Sequence, residues 1–256
     1  MKFYNAFGIK PTNTFTSAGS DYYIPNIKTD KQKELSLKAF EKSYNKTKEE
    51  IDELVSLFTE LSLEEYHNNI INLVHLYLAV YDYDLEIYKN ISNKEGITLF
   101  LNKFVVYDAK KDTVGIKLNL NDTLFINSGI KIALDTVLSE KVAPNPQHAV
   151  NLFRMLGIGV AGLYVNKSGM GNKGWDVRAC LVDEDYAGFV HLSMAYTKDG
   201  VKNKQNVIYC GDKLVQMILI PVFHDDYIDI PEEIYNEIMS NSNRGDSGFG
   251  SSDVKH

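Results

Sequence analysis

The chain has 256 residues, with 27 lysines and arginines against 34 aspartates and glutamates, a formal charge of −7. That balance excludes a protein that coats a nucleic acid polymer, which needs a broad basic face. A composition 44% hydrophobic and 24% charged excludes a disordered or membrane-embedded chain. The two cysteines, Cys180 and Cys210, lie far apart and outside any Cys-x-x-Cys pattern, so neither a disulfide framework nor structural zinc is indicated. No apolar run approaches the ~18–20 residues of a bilayer span, and the start MKFYNAFGIK lacks the plan of a signal peptide. A cytoplasmic protein with no membrane partner is expected.

In chain order, the first periodic stretch runs from about Thr29 to Asn90. Phe40, Tyr44, Thr47, Ile51, Leu54, Val55 and Phe58 line one helical face, and Tyr66, Ile70, Leu73, Val74, Tyr77, Leu78 and Tyr81 a second. This spacing predicts two long helices in a hairpin, with Ser62 to Glu65 as a capping box at the second start. After Gly96 the period changes. Short apolar runs at 97–107, 114–118, 123–134, 160–165, 179–182, 188–196, 206–210 and 213–223 predict strands of a sandwich or barrel. Pro144 and Pro146 precede a short helical patch from Gln147 to Leu156. From Ser240 the chain carries no large apolar residue except Phe249 and Val254, which predicts a mobile arm.

Five short segments carry candidate chemistry. Ser17 to Pro25, SAGSDYYIP, and Gly211 to Leu219, GDKLVQMIL, read as turns entering strands, with Gln216 the polar residue in an apolar run. Asn166 to Gly171, NKSGMG, sets Lys167 and Ser168 before two glycines, as a phosphate loop would. Leu181 to Gly188, LVDEDYAG, is an acidic turn. Arg244 to Ser252, RGDSGFGSS, combines closely spaced backbone N–H groups with a guanidinium, a pairing suited to polyphosphate.

In this order and spacing the five segments resemble the five motifs of the trimeric dUTPase family, over roughly residues 1–28, 116–134 and 160–256. The resemblance implies a mainly β chain with an α insertion. Its core would be a jelly-roll-like dUTPase β-barrel of residues 1–28 and 116–240, homotrimeric, with each active site assembled from different subunits. Residues 29–115 would form a mainly helical insertion, a hairpin in one barrel turn that a short linker could replace. Residues 241–256 would be a C-terminal arm closing the site.

The implied activity is hydrolysis of dUTP to dUMP and pyrophosphate by metal-assisted attack of water on the α-phosphorus, with Mg2+ as cofactor. By the same resemblance Asp183 activates the water, and Asp21 holds the magnesium through water. Ser168, Gln216 and Arg244 hydrogen-bond the phosphates, Tyr186 packs on the deoxyribose, Phe249 stacks on uracil, and Lys167, Gly169, Gly250 and Ser251 are further substrate-binding residues. The runner-up is a regulatory protein on the same scaffold, which binds a protein partner through the helical insert with nucleotide as switch.

Overall fold

The computed structural model describes residues 2–8, 10–12, 18–81, 93–134, 155–197, 206–223, 229–238 and 240. Two units are compact in themselves, 1–223 and 224–256. Of the second, the helix Glu232–Ile238 is described. The expected 147–156 helix, apart from its last two residues, and the arm at 241–256 lie outside the described residues.

The first unit is mainly β with a helical insertion. Strand β1 (Lys2–Asn5) pairs with β6 (Ile130–Ala133). Strand β10 (His191–Tyr196) lies between β5 (Thr123–Asn127) and β8 (Trp175–Ala179). A third sheet runs β11 (Val207–Tyr209), β4 (Thr113–Lys117), β3 (Val105–Asp108). The fourth, which carries the site, runs β2 (Ser20–Tyr23), β12 (Lys213–Phe223), β7 (Ile158–Asn166), β9 (Leu181–Val182). Its spine is a nine-pair antiparallel ladder from Val215 opposite Asn166 to Phe223 opposite Ile158. The strands are rich in Val, Ile, Leu and Tyr, the residues a half-buried pleated surface favours.

The helical region differs from the expected hairpin. It comprises α1 (Asp30–Ser43), α2 (Lys48–Leu61), a 3-10 turn (Glu64–Asn69), α3 (Ile70–Tyr81) and α4 (Asn93–Lys103). Asn45, at φ 49°, breaks the first expected helix, since a left-handed residue cannot continue a right-handed helix. The capping boxes are formed by Thr29 with Gln32 and by Thr47 with Glu50. Ser62 instead closes α2, and its hydroxyl is buried without a hydrogen-bond partner. The run at 97–107 is helix before it is strand, because Ile97, Phe100 and Phe104 are spaced by three and four, and the first two are fully buried.

The insertion shares its core with the sheets. Every residue of α3 from Ile70 to Val80 is buried, as in a helix apolar on all sides. Phe40 and Tyr44 of α1, His75 of α3 and Phe7 next to β1 form one aromatic cluster. In it, Phe7 stands 5.8 Å from Phe40 and 5.4 Å from His75 between ring centres. Polar ties cross the same seam: the Asn127 N–H donates to the Tyr44 hydroxyl at 3.2 Å, and the Ile27 N–H to Asn72 Oδ1 at 2.8 Å. The expected boundary at 115/116 falls inside β4, whose Val114 and Ile116 are fully buried.

His75 has a measurable consequence. Burial first, and the charge of His191 second, pull its imidazole down to about 3. The native ring therefore stays neutral where the unfolded one takes a proton, so stability is full above about pH 6.5. It falls by roughly 1.4 kcal/mol per pH unit below that, toward the folded value. His75→Leu should remove this slope. Between pH 6.5 and 5, the urea-unfolding stability of wild type should drop by about 2 kcal/mol more than that of the variant.

Candidate active site

Two groups of site residues sit on the four-stranded sheet. The first forms because β12 is paired on both sides, which sets Asp21 of β2 opposite Gln216 and Gln216 opposite Val165 of β7. Directly opposed residues share a face of the sheet. Asp21 therefore lies where the chain leaving β7 can reach it. Lys167 donates to Asp21 Oδ1 at 2.8 Å and Lys213 to Oδ2 at 3.0 Å, while the Asp21 side chain is only 12% exposed. Burial opposes ionisation of Asp21, but the hydrogen bonds and charges of the two lysines outweigh it and hold the carboxyl below its ordinary value.

In this protomer both oxygens of Asp21, expected to hold magnesium through water, accept from ammonium groups. Among the described residues no group of three or more His, Cys, Asp or Glu side chains could hold a metal ion. Lys213 was not singled out in the sequence, although its place at the start of the GDKLVQ strand was a signal. Gln216 donates to the Gly19 carbonyl at 3.4 Å. Ser168 opens α5 (Ser168–Gly171), a single turn after Lys167. A side chain at Gly169 would project into open space, so packing within the protomer does not demand glycine there.

The second group surrounds a cavity of about 290 Å³ whose lining includes Phe125, Tyr164, Asp183, Tyr186 and His191. The turn that presents Asp183 is pinned twice: its carbonyl accepts the Tyr186 N–H at 3.2 Å, and the Glu184 carboxylate accepts the Val160 N–H of β7 at 3.0 Å. Tyr186 then folds back, its hydroxyl donating to the Phe189 carbonyl at 2.8 Å. A Cβ at Gly188 would fall 2.5 Å from that hydroxyl, so glycine is what lets the ring lie there. His191 stacks on Phe125 with centroids 4.4 Å apart and planes 2° apart, and its Nδ1 lies 3.0 Å from the Phe189 carbonyl oxygen. Tyr44 of the insertion stands edge-on to His191 at 6.1 Å. Glu184, His191 and Phe125 are residues that sequence reasoning did not place at the site.

The two groups are apart within one protomer. On β7, Gly162 faces Val182, just before Asp183, and Asn166, just before Lys167, faces Val215. Five to six strand residues separate the two exits, roughly 15–20 Å at ~3.3 Å per residue.

A family model for dUTPase matches residues 134–253, which takes in the segments around Lys167, Asp183, Gln216 and Arg244. That segment, just under half of the chain, is similar to a dUTPase domain. The match begins at 134, so it includes the 135–159 stretch that motif resemblance left out, and it omits Asp21, which β2 returns to the site.

Among curated relatives, a deoxyuridine 5'-triphosphate nucleotidohydrolase of Gamma-proteobacterium EBAC31A08 is 33% identical over 99 residues, 38% of this chain and 64% of that protein. A Gag-Pro polyprotein of Mouse mammary tumor virus is 29% identical over 98 residues, 38% of this chain and 10% of the polyprotein. The chain thus spans less than two thirds of either relative. A Staphylococcus bacteriophage 80alpha dUTPase mutant solved with dUpNHpp aligns at TM-score 0.38 and 15% identity, over 59% of this chain and 91% of that one. Of the expected site residues, Arg244, Phe249, Gly250 and Ser251 lie outside the described residues.

Proposed function

We propose that the protein is a dUTP diphosphatase that hydrolyses dUTP to dUMP and pyrophosphate. The observation that carries this reading is the union of a dUTPase-like segment with a cavity that holds Asp183 and Tyr186 together on a pinned turn. Asp183 accepts a proton from the water that attacks the α-phosphorus, work that needs a base within about 3 Å of that water. The Tyr186 ring packs on the deoxyribose, where a 2′-hydroxyl would have no room. Ser168, Gln216 and Arg244 donate to the phosphates, with Lys167 adding charge when it leaves Asp21, and donors of this kind stabilise the transition state most where water is excluded. Phe249 covers the base, and Gly250 and Ser251 bring backbone N–H groups to the phosphates.

Magnesium is expected on the triphosphate, whose oxygens are the hard ligands it prefers, and Asp21 would hold its water shell once the lysines turn to the phosphates. A homotrimer supplies what one protomer lacks. A triphosphate is shorter than the separation of Asp183 from the Lys167 turn, so the two halves of a working site come from different copies.

Rates on a nucleotide panel test the reading. Hydrolysis of dUTP should exceed that of dCTP, dTTP and UTP by at least about 10²-fold, because a site with buried polar groups left unpaired rejects the wrong partner strongly. Equal rates on all four would overturn it.

A further inference from the structure

We propose that a second cavity, which shares the 186–191 segment with the first, is a binding site for a planar aromatic phosphate, in its simplest form a purine nucleoside monophosphate. The cavity measures about 390 Å³, within the ~300–1,000 Å³ range of small-molecule sites. It lies where α1 of the insertion meets β1 and β6, and its lining includes Tyr4, Phe189, Ala39, Lys38, Lys42 and Lys131.

Three of these are lysines and none is a carboxylate, in a chain that is acidic overall. Lys38 and Lys42 sit one turn apart on the same face of α1. Lys131 comes from β6, where it is paired in register with Tyr4. Lys38 already holds Glu34 at 2.6 Å, whereas no carboxylate among the described residues pairs with Lys42 or Lys131. Lys131 Nζ lies 4.8 Å above the Phe189 ring, a contact that keeps its charge at the cavity without neutralising it.

The rest of the lining is apolar, two aromatic rings with Leu35 and Ala39. Tyr4 and Phe189 stand 6.3 Å apart at 49°, and Tyr4 is 54% exposed. The Tyr4 ring, open to solvent beside unpaired ammonium groups and backed by the buried Phe189, accepts a flat ring and an anion together. Lysine is a point charge rather than a planar fork, so converging lysines favour a phosphate over a carboxylate. Besides the lysines, the only polar side chain among the described residues of the lining is the Tyr4 hydroxyl, so the base is held by its face, where a purine offers more area than a pyrimidine. The cavity is independent of the dUTP reading and would stand if that reading fell.

The test is titration of the full chain with AMP, followed by calorimetry or NMR shifts. AMP should bind at least ten-fold more tightly than adenosine or inorganic phosphate alone. The double substitution Lys42→Gln, Lys131→Gln should weaken AMP ten-fold or more with the melting curve unchanged, while Lys131→Arg should retain it. AMP binding no tighter than that of phosphate, or an unchanged affinity in the double glutamine variant, would each overturn the proposal.

Discussion

Asp183→Asn should lower kcat for dUTP by about 10²–10⁴, the range of a lost general base, while nucleotide binding largely survives. The substitution is nearly isosteric and leaves the turn intact. What anchors that turn is the Asp183 carbonyl on the Tyr186 N–H and the Glu184 carboxylate on the Val160 N–H, neither of which involves the Asp183 carboxylate. A fall in kcat with little change in dUMP affinity therefore reports chemistry rather than misfolding. Steady-state kinetics with a parallel binding titration reads both quantities, and a near-normal kcat would remove Asp183 from the mechanism.

Replacing residues 30–113 with a short Gly/Ser linker should abolish folding, in contrast to what a detachable hairpin would allow. Closure of a loop at one turn costs little entropy, but that argument assumes the removed chain buries nothing of the remainder. Here Phe40, Phe58, Leu73, Val74, Leu76 and Phe100 are all fully buried in the same cluster as Phe7, Ile24, Leu124 and Ile126. At about 1.5–3 kcal/mol for each large apolar side chain returned to water, loss of even a few of them matches the ~5–15 kcal/mol that holds a domain folded. The deletion also removes β3 and the first residue of β4, the strands that extend the sheet of β11. Circular dichroism and solubility decide the matter. A soluble, trimeric, cooperatively unfolding variant would show that the barrel carries its own core.

The strands were legible because their period-two patterns and turn residues are local signals: β4, β7, β11 and β12 fall where the apolar runs predict them. The helical region was legible as helix but not in its breaks. Asn45 at positive φ and the turn after Ser62 follow from backbone geometry that apolar spacing does not encode. The shared core was hidden for a related reason: α3 reads as amphipathic in a short window, and only the fold supplies an apolar partner for each of its faces.

At the site, Asp183 and Tyr186 were visible as a motif, and both line one cavity. The pairing of Asp21 with Lys167 and Lys213 was not visible, because partners 146 and 192 positions away meet only through the register of β2, β12 and β7. Glu184, His191 and Phe125 were equally silent. Each acts through a neighbour in space, and nothing in a lone acidic turn or a strand histidine announces that neighbour.

The most direct measurement of the central claim is hydrolysis of dUTP in ¹⁸O-labelled water with the products separated and weighed. Attack at the α-phosphorus puts the label in dUMP and leaves pyrophosphate unlabelled. Label in pyrophosphate, or release of orthophosphate in place of pyrophosphate, would contradict the account.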